Sequence, residues 1–199
     1  MAGHQALTTA QKIVVWAQGR VGRQVGKGEC WDLAEQALAH AGAKTSTDLS
    51  ANGQVGDDED YVWGDVKSDV KDAVAGDIIQ MRDYVVTTTT ETEYTFDDGT
   101  VDTDTQAASV ERPHHTAVVV AGPDQNGVIK TLEQNVKPSG KVVQNKKLYT
   151  RDVDPVVKNS RGRHLNPTSK KVENCKIQTT VTITVDPSGT LWIYSPTDK

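Results

Sequence analysis

Gly28-Glu29-Cys30-Trp31-Asp32-Leu33-Ala34-Glu35-Gln36-Ala37-Leu38 is a glycine-bearing loop that runs directly into an amphipathic segment with a cysteine at its mouth. Cys30, Leu33, Ala34, Ala37, Leu38 and Ala41 recur at the three-and-four spacing of one buried helical face, and Gly42 stands where a left-handed cap would end it. The spacing predicts a helix that opens at Cys30. A thiol in a first turn sits among amide N–H groups that lack intrahelical acceptors, at the positive end of the helix dipole, and both effects favour thiolate. Cys30 is therefore read as a nucleophile. On position alone the other reading, a small residue filling the core, stays open, because free cysteine is among the most buried residue types.

The rest of the chain bounds the reading. Its 199 residues suffice for one domain with a real core and no staples. Cys30 and Cys175 have no metal-type spacing and are read as free thiols, and no cofactor is expected. Residues 1–11 hold no apolar run of leader type, and no stretch is long and apolar enough to cross a bilayer. The expectation is a chain without membrane association, either cytoplasmic as synthesised or a mature secreted form whose leader has been removed. The net charge of -5 hides an asymmetry. From Asp48 to Asp104 there are 16 acidic residues against Lys67, Lys71 and Arg82; from Lys137 to Lys176 there are 11 Lys or Arg against Asp152, Asp154 and Glu173. Such blocks are read as solvated faces. The basic segment lacks interleaved aromatics and any known binding motif, so no nucleic-acid partner is expected. Oligomeric state leaves no mark on the composition.

Thr8 and Gln11 have the form of a capping box ahead of Ile13, Val14, Trp16 and Ala17, a short helix that Gly19 ends. Residues 45–60 read as an acidic loop interrupted by Tyr61 and Trp63, which need burial. Ala75-Gly76-Asp77-Ile78-Ile79 reads as a turn into a strand. Threonine-rich stretches on either side of Asp97-Asp98-Gly99 predict a two-stranded ribbon over about 84–110. Residues 114–121 and 128–135 are two strands joined by the turn Gly122-Pro123-Asp124-Gln125-Asn126-Gly127. Beyond Lys137 the chain reads as loop-rich and basic until a final hairpin, residues 176–185 with 190–194, which closes the sheet. The whole is one domain over 1–199 with a ribbon insertion and a C-terminal extension over about 137–199.

A cysteine at a helix start, a histidine at the start of a later strand and a carboxylate or amide on the next strand make the constellation of thiol hydrolases. The six-residue turn brings Glu133 or Asn135 back towards His115, and either would hold the ring in its working tautomer.

These residues resemble the CHAP amidases and peptidases, within the NlpC/P60 and papain-like group. The match lies in Gly28-Glu29-Cys30-Trp31-Asp32-Leu33, Gly76-Asp77-Ile78-Ile79, His115-Thr116-Ala117-Val118-Val119 and Leu132-Glu133-Gln134-Asn135, across residues 20–136. The resemblance implies an α+β fold with N-terminal helices packed on an antiparallel sheet and the nucleophile at a helix N-terminus. It implies Cys30 as nucleophile, His115 as general base, and Glu133 with Asn135 as orienting residues. His114 is then a neighbour, and Trp31 the aromatic that packs near the imidazole. The implied activity is hydrolysis of amide bonds in a peptide or in peptidoglycan. One departure is Glu29, where the family commonly has a Gln supplying an oxyanion donor; its charge would oppose thiolate and oxyanion alike. Gln24, six residues before Cys30, or the Cys30 N–H would donate instead. Only Asp32 remains of the aspartates of calcium-binding relatives, so no metal is expected. Two other functions stay open: a silent binding module on the same scaffold, and a deamidase or acyltransferase acting on proteins.

Overall fold

The computed structural model describes residues 6–56 and 59–199. Residues 1–5 of the stretch read for a leader, and Asp57 and Asp58 of the acidic loop, lie outside the described residues. In chain order the elements are α1 (Thr9–Gln18), α2 (Cys30–Ala41), α3 (Ser46–Leu49), β1 (Asp65–Val66), β2 (Ile78–Phe96), β3 (Val101–Ala121), β4 (Val128–Glu133), β5 (Gln144–Tyr149), β6 (Val153–Leu165), β7 (Val172–Val185) and β8 (Thr190–Ser195). The chain divides into two compact units. The first comprises Met1–Tyr84, Arg112–Thr150 and Pro187–Lys199, the second Val85–Glu111 and Arg151–Asp186.

In the first unit the helices form where local chemistry dictates. Thr8 caps α1 by accepting from the Gln11 N–H at 3.2 Å, and the Gln11 side chain accepts from the Thr8 N–H at 3.0 Å, the reciprocal box expected from the sequence. α2 buries Leu33, Ala34, Ala37, Leu38 and Ala41 and stops at Gly42, whose φ of 82° is left-handed and nearly free of cost only without a Cβ. The sheet order is β1-β8-β2-β3-β4-β5, with antiparallel pairing at β1–β8, β8–β2, β3–β4 and β4–β5. Ile13, Leu33, Leu38, Trp63, Ile78, Val118, Leu132 and Tyr194 share one core. Both aromatics of the acidic loop are buried there, and the Trp63 indole finds the Gln80 side chain at 3.4 Å.

In the second unit β7 pairs with residues 86–96 of β2 on one side and with β6 on the other. The expected two-stranded ribbon therefore has two further strands beside it, and β5 and β6 occupy the segment read as loop. That segment alternates few apolar residues with many Lys and Arg, a pattern that reads as loop until a neighbouring strand supplies the pairing. The last hairpin is also corrected. β8 pairs with residues 78–82 of β2 and with β1, whereas β7 pairs with β2 beyond residue 85, so the two run one after the other along a 19-residue strand. The change of partner falls at Asp83, whose φ of 53° interrupts the extended backbone.

Leu38 is 0 % exposed within this core. Leu38→Ala is expected to lower the unfolding free energy by about 2–5 kcal/mol, measured by urea titration followed through tryptophan fluorescence.

Candidate active site

Every residue of the site described below belongs to the first unit. The loop before α2 is held from two sides. Asp32, in the first turn of α2, accepts from the N–H groups of Lys27 at 2.9 Å and Glu29 at 3.0 Å. Gln134, fully buried just past β4, accepts from the Val25 N–H at 2.8 Å and donates to the carbonyls of Val25 at 3.0 Å and Glu29 at 2.8 Å. Cys30 is thus fixed relative to the end of β4 by a single amide side chain. Gly28 has φ of 91°, and a Cβ there would lie 2.7 Å from the Lys141 side chain.

The groups that act on the Cys30 thiol are the His115 imidazole and the backbone of Thr116 and Trp31. Burial pushes the thiol up, but the hydrogen bond and positive charge of His115, with the two backbone donors, outweigh it and hold Cys30 below its ordinary value. Burial alone would likewise lower His115. Cys30 and Glu133 more than reverse that and raise it to about 9. Glu133 is pushed up by burial, yet His115, Arg112 and the Thr131 hydroxyl bring it down to about 2. Thiol, imidazole and carboxylate thus stand in a row, each shifted towards its charged form.

Nε2 of His115 lies 3.2 Å from Oε2 of Glu133, an ion-pair distance, but its N–H is not aimed at the oxygen and Nε2 has no directed acceptor. With Nε2 turned to the carboxylate, Nδ1 is the nitrogen left for the thiol. Arg112 reaches the same Oε2 with Nη2 at 3.0 Å and Nε at 3.1 Å, and the Thr131 hydroxyl donates to Oε1 at 2.8 Å.

The sequence-derived candidates separate. Cys30, His115 and Glu133 come together. Asn135 does not join them: its backbone is left-handed at φ of 63°, and its side-chain amide donates to Glu29 Oε2 at 2.7 Å. Glu29 also pairs with Lys141 Nζ at 3.0 Å, so the charge that threatened the thiolate is neutralised on the surface. Gln24 donates to the Gly26 carbonyl at 3.2 Å. The Trp31 indole donates to the Ser46 hydroxyl at 2.8 Å, tying α2 to α3. His114 donates from Nε2 to the Glu59 carbonyl at 2.7 Å and packs edge-on to Tyr61. Arg112 and Gln134 had no role in the sequence reading. Arg112 did leave a signal, since no other Lys or Arg occurs between Arg82 and Lys130. Among the described residues no group of His, Cys, Asp and Glu is arranged to hold a metal ion, and no helix is long and apolar enough to cross a membrane.

A cysteine opening a helix that packs on an antiparallel sheet, with histidine and carboxylate on adjacent strands, defines a domain of the papain-like cysteine-proteinase fold. The chain belongs to the AIM3/BBC1 cysteine proteinase-fold family, whose model matches residues 4–153 and so includes Cys30, Arg112, His115 and Glu133. No curated protein and no solved structure matches it.

Cys30 is expected to be alkylated by iodoacetamide at pH 6 at least about tenfold faster than Cys175, which is buried in β7; mass spectrometry of timed digests reads both sites. Linkage fixes the acid side of stability. Glu133 has its folded value below its ordinary 4.5, so its contribution is present above 4.5 and lost as pH falls towards 2. The urea midpoint is expected to drop across that window more steeply than in Glu133→Gln. On the alkaline side, the His115 contribution is present below 6.5 and fades as pH rises through about 9, while the lowered Cys30 acts in the opposite sense up to 9.0.

Proposed function

We propose that this protein is a cysteine hydrolase of amide bonds, acting through Cys30, His115 and Glu133. The observation that carries the reading is the continuous chain from thiol to imidazole to carboxylate, with the imidazole and the carboxylate buried and each group shifted towards its charged form. The Cys30 sulfur attacks the carbonyl carbon of the substrate, and its electron pair forms the C–S bond while charge moves to oxygen. The backbone N–H of Cys30, in the first turn of α2, is the donor for that oxyanion. Collapse breaks the C–N bond, and His115 gives its proton to the leaving nitrogen, releasing an amine and a thioester. Water then attacks the thioester, His115 takes the proton, and the acid leaves with thiolate and imidazolium restored. Amide and water become acid and amine, with no other reactant.

The pairing of Glu29 with Lys141 and Asn135 supports this reading, because it sets a cation and an amide donor against the charge that would otherwise oppose the oxyanion. The motifs shared with CHAP and NlpC/P60 enzymes support a peptide or peptidoglycan stem peptide as the substrate, with hydrolysis at the amide linkage.

Purified peptidoglycan and a peptide mixture, each digested with native protein, Cys30→Ala or His115→Ala and analysed by mass spectrometry, test it. New amines and acids are expected with native protein and a loss of at least about a thousandfold in rate with either variant. Fragment patterns identical for native protein and Cys30→Ala would overturn the proposal.

A further inference from the structure

Resting on the hydrolase reading of Cys30 and His115, we propose that Arg112 is a positioning residue of the same site, one that grips Glu133 so that the carboxylate holds His115 by charge without giving it a directed hydrogen bond. The geometry is specific. Arg112 places Nη2 and Nε at 3.0 and 3.1 Å from one oxygen, Oε2, the atom that also lies 3.2 Å from His115 Nε2. A guanidinium ordinarily spans both oxygens of a carboxylate. Here the Thr131 hydroxyl holds Oε1 at 2.8 Å, so Arg112 and His115 share Oε2, and Arg112 has the aligned bonds.

All three side chains are shielded from water, at 14 % exposed for Arg112, 5 % for His115 and 2 % for Glu133, so these charges act through a weakly screening medium. The titratable and charged groups that face the pair are Cys30 from α2, Arg112 from β3 and Tyr84 from β2, with Tyr149 of β5 beside Tyr84. Burial pushes Tyr84 up to about 12, so it stays neutral over the working range. Arg112 is therefore the permanent cation in the group. It keeps Glu133 ionised and, by occupying Oε2 and repelling a second positive charge, keeps the imidazolium acidic enough to hand its proton to a leaving nitrogen.

Losing the guanidinium frees Oε2 to turn towards Nε2–H and fastens the proton more tightly to His115. The test uses the full chain, with iodoacetamide alkylation of Cys30 followed from pH 4 to 11 against Cys175, and the His115 ring Cε1–H titrated by NMR. In native protein, alkylation is expected to show an acid-side inflection from Cys30 and an upper one from His115. Arg112→Gln is expected to move the upper inflection and the NMR midpoint upward by about half a pH unit or more. Arg112→Lys, which keeps the charge but has a single donor group, is expected to move both by less, and Arg112→Gln with Glu133→Gln to bring both below native. If Arg112→Gln does not fold, Arg112→Lys carries the same test. A fall in thermal stability with the upper inflection unmoved in both single variants would mean a structural role only and overturn the proposal while leaving the hydrolase reading standing. Absence of the acid-side inflection in native protein would bring down both.

Discussion

The buried carboxylate of Glu133 is the constraint on which the site depends. A carboxylate only 2 % exposed is taken out of water at a cost of several kcal/mol, and the fold is consistent only if its oxygens are met by donors and positive charge. Thr131 comes from two residues earlier on the same strand, and Arg112 and His115 from the adjacent one. Satisfying that carboxylate keeps the imidazole charged, and the charged imidazole favours the thiolate form of Cys30, 85 positions before His115 in the chain. Removing one partner of such a buried set is worth about 3–5 kcal/mol, so stability and chemistry are locked to the same few atoms.

Gln134 supplies the mechanical counterpart. Its amide presents one acceptor and two donors, and all three bind the backbone on the approach to Cys30. Consecutive residues at the end of β4 thus divide the labour: Glu133 sets the charge of the site, and Gln134 sets where the thiol sits. Asp32 completes the loop from within the helix, and its interaction with the Glu29 N–H places a carboxylate in the first turn, where the helix dipole favours it. The surface pairing of Glu29 with Lys141 shows why a charge that looks hostile in one dimension is harmless in three. Its partner comes from beyond β4, at a separation no local pattern encodes.

The second unit makes a related point about strands. β2 and β3 are 19 and 21 residues long, and threonine and valine favour extended backbone throughout them. Their hairpin was legible from Asp97-Asp98-Gly99, because turn chemistry acts over neighbouring residues. What covers the outer edge of β2 was not. β7 and β8 both have strand composition and are joined by a four-residue turn signal, Asp186-Pro187-Ser188-Gly189, so a hairpin between them is the local reading. The long β2 accepts both in succession, because its ladder of backbone groups on that side has to be paired somewhere.

The amino-acid sequence alone determined the two helices with their caps, the helical face behind Cys30, and the strand–turn–strand that brings Glu133 and Asn135 back towards His115. All of these rest on residues within a few positions of each other or on motifs whose order along the chain is preserved. Tertiary structure decided which residue turns to the histidine, why Asn135 and Gln24 do not, and what neutralises Glu29. It also brought in Arg112, three residues before His115 in sequence and set against Glu133 only because β3 and β4 lie side by side. The physical reason is that burial and partner choice depend on through-space distance, which a chain specifies only once its strands have found their neighbours.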